Sequence, residues 1–498
     1  MMGRENPPQP SLFYTGINLE KRVRSDHVLR KVARLVDFDF VYGEVKESYG
    51  YNGNVSVPPP MILKLMLLLV LYNVRREREL MATLPERLDW LWFLGLDLDS
   101  EIPDHSVLSK ARKRWGVELF RSFFERIVWQ CVEGGLVDGK KLFCDSSLVQ
   151  ADASCNSIVD TQGLRRYLNP AYRELEKRLV EREEDKTQDE KDDSDDDSPR
   201  RNVVNQRYVS TTDPEASVVR KGQGKAKLHY QTHRGIDGAY GVITATGPGD
   251  QNEAHRLTDL LDAHQAQTHN KVEVVVADSK YGTTANFFEC HDRGIAAHMP
   301  VLKQTQDQQE RRRKIFPESR FIYDLHTDTY SCPGGQTLTK RKHWAQRKAY
   351  EYVTARGVCQ QCSLRAQCTQ SESGGRTLKR HERQELLDRL RAQARSAPAR
   401  RDIRIRQHFM EGSFAQAARF GLKRARWRGQ WRVQIQDYLI AIVQNVELLI
   451  AHAWPKPRTA LALLDFQETT CGVRSGLAGL VLAAFSRHSY FARPAYLY

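Results

Sequence analysis

Val272-Glu-Val-Val-Val-Ala-Asp-Ser-Lys-Tyr-Gly282 is the stretch that decides the fold of this 498-residue chain. An apolar run of this kind, closed by a turn sequence, reads as a strand buried on both faces and therefore central in a sheet. Asp278 stands where that strand runs out. Upstream, Lys227-Leu-His-Tyr-Gln-Thr-His-Arg-Gly-Ile236 and Tyr240-Gly-Val-Ile-Thr-Ala-Thr246 flank Asp237-Gly238, a hairpin turn signal. Between hairpin and central strand, residues 253–269 carry Leu257, Leu260, Leu261 and His264 at helical spacing. Further upstream, Lys141-Leu-Phe-Cys-Asp145 reads as a short apolar strand ended by a second carboxylate.

Strand, hairpin, helix, central strand is the order of a ribonuclease H-like core, so the fold class is α/β. Residues 1–135 read as helical. Met61 to Arg78 carries an apolar stripe, and Leu84-Pro-Glu-Arg-Leu-Asp-Trp-Leu-Trp-Phe-Leu packs aromatics densely. A helical N-terminal region (1–135) thus precedes the first part of the core (136–304). Within that part, the charged segment at about 181–201 reads as a disordered acidic loop. A polar, cysteine-bearing insertion (305–395) comes next. The last part of the core (396–455) holds the basic helical stretch Arg404-Ile-Arg-Gln-His-Phe-Met-Glu-Gly-Ser-Phe414, with Glu411 in it. In the apolar helix after it, Leu439, Ile442, Val443, Val446, Leu449 and Ile450 form one face. A tail (456–498) has no assignment.

Asp145 and Asp278 at the ends of neighbouring strands converge at one edge of a sheet, and Glu411 from a packed helix completes a set of hard oxygen donors. Such a set suits Mg²⁺, the usual metal of phosphodiester chemistry. The charge agrees: 76 Lys+Arg oppose 62 Asp+Glu, a net +14, with many of the acids confined to the stretch 181–198. The rest is more basic still, which suits a polyanion, the other reading being ordinary solubility charge. The N-terminus has no secretory apolar core, and Met61 to Tyr72 falls short of the ~20 residues of a membrane span. A soluble, cytoplasmic protein with no membrane partner is expected, and nine mostly scattered cysteines fit a reducing compartment.

The helix expected after Ile102-Pro-Asp-His-Ser, capped by Asp104 or Ser106, exposes Lys110, Arg112, Lys113 and Arg114. This face fits either DNA contact in helix-turn-helix fashion or a solvated bundle face. Arg401, Arg404, Arg406, Arg419, Lys423, Arg424, Arg426, Arg428 and Arg432 surround Glu411. Of these, Lys423, Arg424 and Arg428 are the expected phosphate contacts. Trp427 and Trp431 fit either base stacking or core packing. Cys332, Cys359, Cys362 and Cys368 have the donor set of a tetrahedral Zn²⁺ site, free thiols being the alternative.

With these residues in hand, the chain resembles a DDE-type bacterial insertion-sequence transposase over roughly residues 20–452. Asp26-His-Val-Leu-Arg-Lys-Val, Pro59-Pro-Met-Ile-Leu-Lys-Leu-Met-Leu-Leu, Arg76-Glu-Arg-Glu-Leu and Phe93-Leu-Gly-Leu-Asp resemble the helical N-terminal region. Asp145-Ser-Ser-Leu-Val-Gln-Ala-Asp-Ala-Ser, Val276-Ala-Asp-Ser-Lys-Tyr-Gly and Glu411-Gly-Ser-Phe, followed by Arg426-Trp-Arg-Gly, resemble the three catalytic segments. Ala417 and Ala418 stand where relatives often carry a basic residue, and Asp152 where Asn is usual. The resemblance implies two Mg²⁺ ions (or Mn²⁺) held by Asp145, Asp278 and Glu411, with Asp145 bridging both. It further implies a nucleoid-associated homodimer that binds its element's terminal inverted repeats, cleaves the ends and joins them to target DNA. A transposon-derived DNA-binding protein without catalysis, or a stand-alone nuclease, are the competing readings.

Overall fold

The computed structural model describes residues 2–3, 18–50, 55–160, 205, 207–220, 225–249, 255–300, 314–371 and 374–454. The acidic segment at 181–201, Cys471 and the tail at 456–498 lie outside the described residues. All elements except the last turn of the final helix belong to one compact unit, residues 1–449.

Eight helices occupy the N-terminal region: α1 (Leu19–Arg22), α2 (Val28–Leu35), α3 (Phe40–Val45), α4 (Pro59–Leu71), α5 (Glu77–Thr83), α6 (Leu88–Leu94), α7 (Ser106–Trp115) and α8 (Glu118–Glu133). Pro59 and Pro60 open α4, where a missing N–H is no loss. Apart from Lys64, residues 59–70 are buried. The sequence showed a stripe, but a helix apolar all round is enclosed on every side, and α4 is the hub of this bundle. The expected Met61–Arg78 helix is two, because the chain breaks at Asn73, whose φ is +50°. His105, the N-cap residue of α7, makes no side-chain cap; Asp104 before it accepts from the Ser106 amide through Oδ1 at 2.8 Å. Hydrogen bonds from Ser106 hold that carboxyl down at about 2.

The main sheet follows, with β1 (Lys141–Gln150), β4 (Ser217–Val219), β5 (Lys227–Asp237), β6 (Ile243–Gly249), β7 (Val274–Val276) and β8 (Ala296–His298). A separate ribbon pairs β2 (Ile158–Asp160) with β3 (Tyr208–Ser210). β5 lies between β1 on one side and β4 and β6 on the other, all antiparallel to it, whereas β1, β7 and β8 run parallel. Helix α9 (Arg256–Thr268) connects β6 to β7, and α10 (Thr284–Asp292) connects β7 to β8. The expected order of strand, hairpin, helix and central strand is present, with β7 inside the sheet. The hairpin turn differs in detail. The Asp237 amide donates to Val242 O at 2.8 Å, so the reversal spans 238–241 with Gly241 at φ +83°. Asp237 itself is buried, and its carboxylate accepts from the Gly139 and Ala239 amides at 2.9 and 3.0 Å.

A second, five-stranded antiparallel sheet fills the expected insertion: β9 (Ile322–Asp324), β10 (Thr329–Ser331), β11 (Thr337–Trp344), β12 (Ala349–Thr354) and β13 (Leu378–His381), with α11 (Arg365–Cys368) between the last two. Phe321, Tyr330, Leu338, Tyr352 and Leu378 form its own small core. The chain then returns through α12 (Gln384–Gln393) to α13 (Ala397–Arg419), which lies against β1, β7 and β8, and to α14 (Gln430–Ala453). The predicted apolar face of α14 is buried from Leu439 to Leu449. Ile440, Ala441, Gln436, Asp437, Gln444 and Asn445 are buried with it, so α14 is enclosed on all sides rather than along one face. Among the described residues no helix is long and apolar enough to cross a membrane.

Candidate active site

Asp145 does not end its strand. β1 continues to Gln150, because β5 pairs with it from Leu142↔Asp237 to Gln150↔His229. What ends near Asp145 is the parallel partner: β1 and β7 match through Lys141↔Val274, Leu142↔Val275 and Phe143↔Val276. Asp145 and Asp278 each lie two residues beyond that last pair. After β7 the backbone turns sharply, the Asp278 side chain capping Ser279–Tyr281 by accepting from the Lys280 amide at 2.9 Å. Gly282 completes the turn so close to Pro300 that a Cβ there would sit 2.2 Å from the Pro300 carbonyl oxygen.

Helix α13 supplies the next groups. Ala399, Asp402, Arg406 and Met410 are buried on one face of it. Asp402 fixes the start of the helix, accepting from Lys141 Nζ and pairing with His298 Nδ1, both at 2.8 Å. Burial works against its charge, but Lys141 and His298 outweigh it and hold the carboxyl below the usual range. Farther along, Phe409 packs on Phe143 with ring centroids 5.5 Å apart. Arg406 donates from Nη1 to Asp145 Oδ2 at 2.5 Å. Glu411 is one residue past the buried stripe and exposed, accepting from Gln407 Nε2 at 2.9 Å. The sheet thus places Asp145 and Asp278 beyond the same strand pair, while Glu411 sits on the outward side of the helix laid over them. Among the described residues no group of three or more His, Cys, Asp or Glu side chains is set to hold a metal ion.

A buried polar network fixes α13 beside Glu411. Arg234, directly opposite Asp145 in the β1–β5 register, is fully buried. It pairs with Asp437 Oδ1 at 3.1 Å and donates to Ser413 Oγ at 3.0 Å and Gln444 Oε1 at 2.8 Å. Thr232 and Thr246 also donate to Asp437. Asn445 clamps the start of β6, accepting from the Ile243 amide and donating to its carbonyl. Sequence reasoning missed Arg234, Asp437 and Gln444. For Asp437 and Gln444 the signal was polar residues inside a strongly apolar helix; Arg234, on β5, has no such signal.

The basic candidates divide. Lys110, Lys113 and Arg114 are exposed on α7, but Arg112 is buried, a correction to the expected basic face. Its guanidinium pairs with Glu77 at 2.5 Å and stacks 4.0 Å from the Trp427 ring centroid. Trp427 also donates to Glu77 at 3.1 Å, so this tryptophan takes the packing role. Arg426 is drawn into the same contact, donating to Asn73 and to the Val74 carbonyl. Burial, with Arg75 nearby, lowers its pKa to about 10. Lys423 is exposed at a short parallel bridge joining the chain after α13 to the end of β1. Arg424 and Arg428 are exposed too, and both reach Asp152, the former at 2.9 Å from its carboxylate. Ala417, where relatives often carry a basic residue, is fully buried, leaving no room for a long cationic side chain.

The four insertion cysteines are free and half-buried. Cys332 accepts from the Gln336 amide at 3.3 Å, in a turn closed by Gly335 N to Cys332 O at 2.9 Å. A Cβ on Gly334 would lie 3.5 Å from Cys362 Sγ and 3.7 Å from Cys332 Sγ. Burial raises the Cys368 thiol pKa; Arg376 works against this, and the other three thiols add to it.

Two family models match the chain, each described as a transposase domain. Residues 17–114, from α1 through most of α7, match the transposase domain DUF772. Residues 331–450, from the insertion through Glu411 to α14, match the transposase DDE domain. Both matches support a DDE-type insertion-sequence transposase. Asp145 and Asp278 lie between the two matched stretches. A comparison with curated proteins found no match.

Proposed function

We propose that this transposase acts as a homodimer in the bacterial cytoplasm. In this reading it binds the terminal inverted repeats of its own insertion sequence, cleaves the ends and joins them to target DNA. The main observation in favour is that Asp145 and Asp278 each lie two residues beyond the last β1–β7 pair, with helix α13 packed against both strands. The sheet order, with its antiparallel hairpin beside β1 and parallel β7 and β8, supports a ribonuclease H-like core.

Asp145 and Asp278 are the residues that would hold Mg²⁺ or Mn²⁺; Glu411, exposed on the outward side of α13, would join them only if that helix shifts. Two features favour the fit: the donors are hard carboxylate oxygens, and a cation, the Arg406 guanidinium, already sits on Asp145. A divalent cation held by these carboxylates would supply activation of a water or 3′-hydroxyl and stabilisation of the leaving oxygen. Exposed Lys110, Lys113, Arg114, Lys423, Arg424 and Arg428 would contact the DNA backbone, orienting it without reading its sequence. Helices α1–α8 would recognise ends and dimerise. The insertion would be a separate module, closed on Zn²⁺ by Cys332, Cys359, Cys362 and Cys368 with some movement of the thiols. The test is cleavage of the element's terminal DNA in Mg²⁺. Specific end binding without cutting by the wild type would instead favour a DNA-binding protein that has lost catalysis.

A further inference from the structure

We propose that Arg406 is the resident counter-ion of the acidic site: it holds Asp145 while no metal is bound and must leave that carboxylate when a divalent cation arrives. This inference rests on the acidic-site reading given above. Arg406 is only 8% exposed, on the inward face of α13. Its Nη1 reaches Asp145 Oδ2 at 2.5 Å and the Cys144 carbonyl at 3.4 Å, and its Nε is buried without a hydrogen-bond partner. A buried guanidinium with an orphaned donor is a costly placement, retained where its charge answers another. Asp145 supplies that need. Asp278 lies just beyond the adjacent strand, and two carboxylates at one site repel each other unless a cation lies between or beside them.

The consequence is competition. Arg406 and a metal ion would compete for the carboxylate of Asp145, so the charge that keeps the empty site stable would also weaken its hold on metal. Two neighbouring cations are committed elsewhere: Lys141 pairs with Asp402, and Arg234 is enclosed with Asp437. Arg406 is therefore a positioning residue whose removal should strengthen metal binding while lowering the stability of the metal-free protein.

The test follows thermal unfolding of the full-length chain against Mn²⁺ concentration, without DNA. It compares the wild type with Arg406→Gln, Arg406→Lys and Asp278→Asn. Arg406→Gln is expected to melt lower without metal, to gain more on adding Mn²⁺, and to half-saturate at about tenfold lower Mn²⁺. Arg406→Lys, which keeps the charge but loses the fork, should fall between. An Arg406→Gln half-saturation equal to or above that of the wild type overturns the proposal. If that variant does not fold, an unchanged value for Arg406→Lys does so. Asp278→Asn separates the two readings. If it weakens Mn²⁺ binding while the Arg406 variants match the wild type, only the counter-ion role falls. If it binds Mn²⁺ as the wild type does, or if no variant responds to Mn²⁺, the acidic site itself falls and the counter-ion role with it.

Discussion

Asp145 and Asp278 each stand two residues past Phe143 and Val276, the last matched pair of the parallel strands β1 and β7. They reach this position differently. β7 ends at Val276 and turns, so Asp278 lies two residues beyond the strand, whereas Asp145 lies within a long strand whose other edge is still paired with β5. One carboxylate therefore has a backbone held on one side by a full ladder, and the other caps a tight turn.

The Arg234–Asp437 pair is fully buried and joins β5 to α14. Asp437→Asn leaves the guanidinium without its counter-charge and should cost about 3–5 kcal/mol. Chemical denaturation of the two proteins measures this. A loss below about 1 kcal/mol would mean that Gln444 and Ser413 alone satisfy Arg234.

His264 gives the fold a pH dependence. It is fully buried, with Nε2 at 3.2 Å from the Gly139 carbonyl and Nδ1 at 2.7 Å from Thr244 Oγ1. A carbonyl only accepts, so Nε2 carries the proton and Nδ1 accepts from the threonine, a neutral imidazole. Burial lowers its pKa from 6.5 to about 4. The unfolded chain therefore takes up this proton first. Stability should fall as pH drops from about 6.5 to about 4 and level off below, by about 3 kcal/mol from this group. His264→Gln should flatten that part of the stability–pH curve.

Arg424 and Arg428 remain about half exposed although both touch Asp152. Replacing both with Ala should weaken DNA binding for specific and unrelated sequences alike. The slope of log affinity against log salt should become shallower by about 1 for each phosphate that is no longer neutralised. Fluorescence anisotropy over a salt series reads this. An unchanged slope would assign these arginines to holding Asp152 alone.

The insertion cysteines predict one zinc per chain by elemental analysis of protein purified without chelator. Cys362→Ser should lose the metal and lower the melting temperature of the insertion, while Cys155→Ser, at an exposed cysteine away from the set, should change neither.

Much of this architecture was legible because it is written in local pattern. The valines before Asp278 could only be a central strand, and residues 257–264 could only be the helix feeding it. What stayed hidden depends on partners distant in sequence. Nothing near Asp145 reveals that β1 runs on to Gln150, because β5, some 80 residues later, supplies the pairing. Arg112 looks like one of four surface cations until Glu77 and Trp427 are seen to enclose it. Arg406 looks like any arginine of a basic helix, and only the crossing of α13 over β1 sets it on Asp145. Gln436, Asp437, Gln444 and Asn445 were the readable exception: four polar residues in a helix apolar enough to be enclosed need buried partners.

The most direct measurement is cleavage of DNA carrying the element's own terminal repeats, in Mg²⁺, by the wild type and by Asp278→Ala. Strand cleavage at the element end is expected from the wild type. Asp278→Ala should lose ~10³-fold or more, the scale set by removing several kcal/mol of transition-state stabilisation, with end binding retained. Cleavage by Asp278→Ala at the wild-type rate would contradict the assignment of the acidic site.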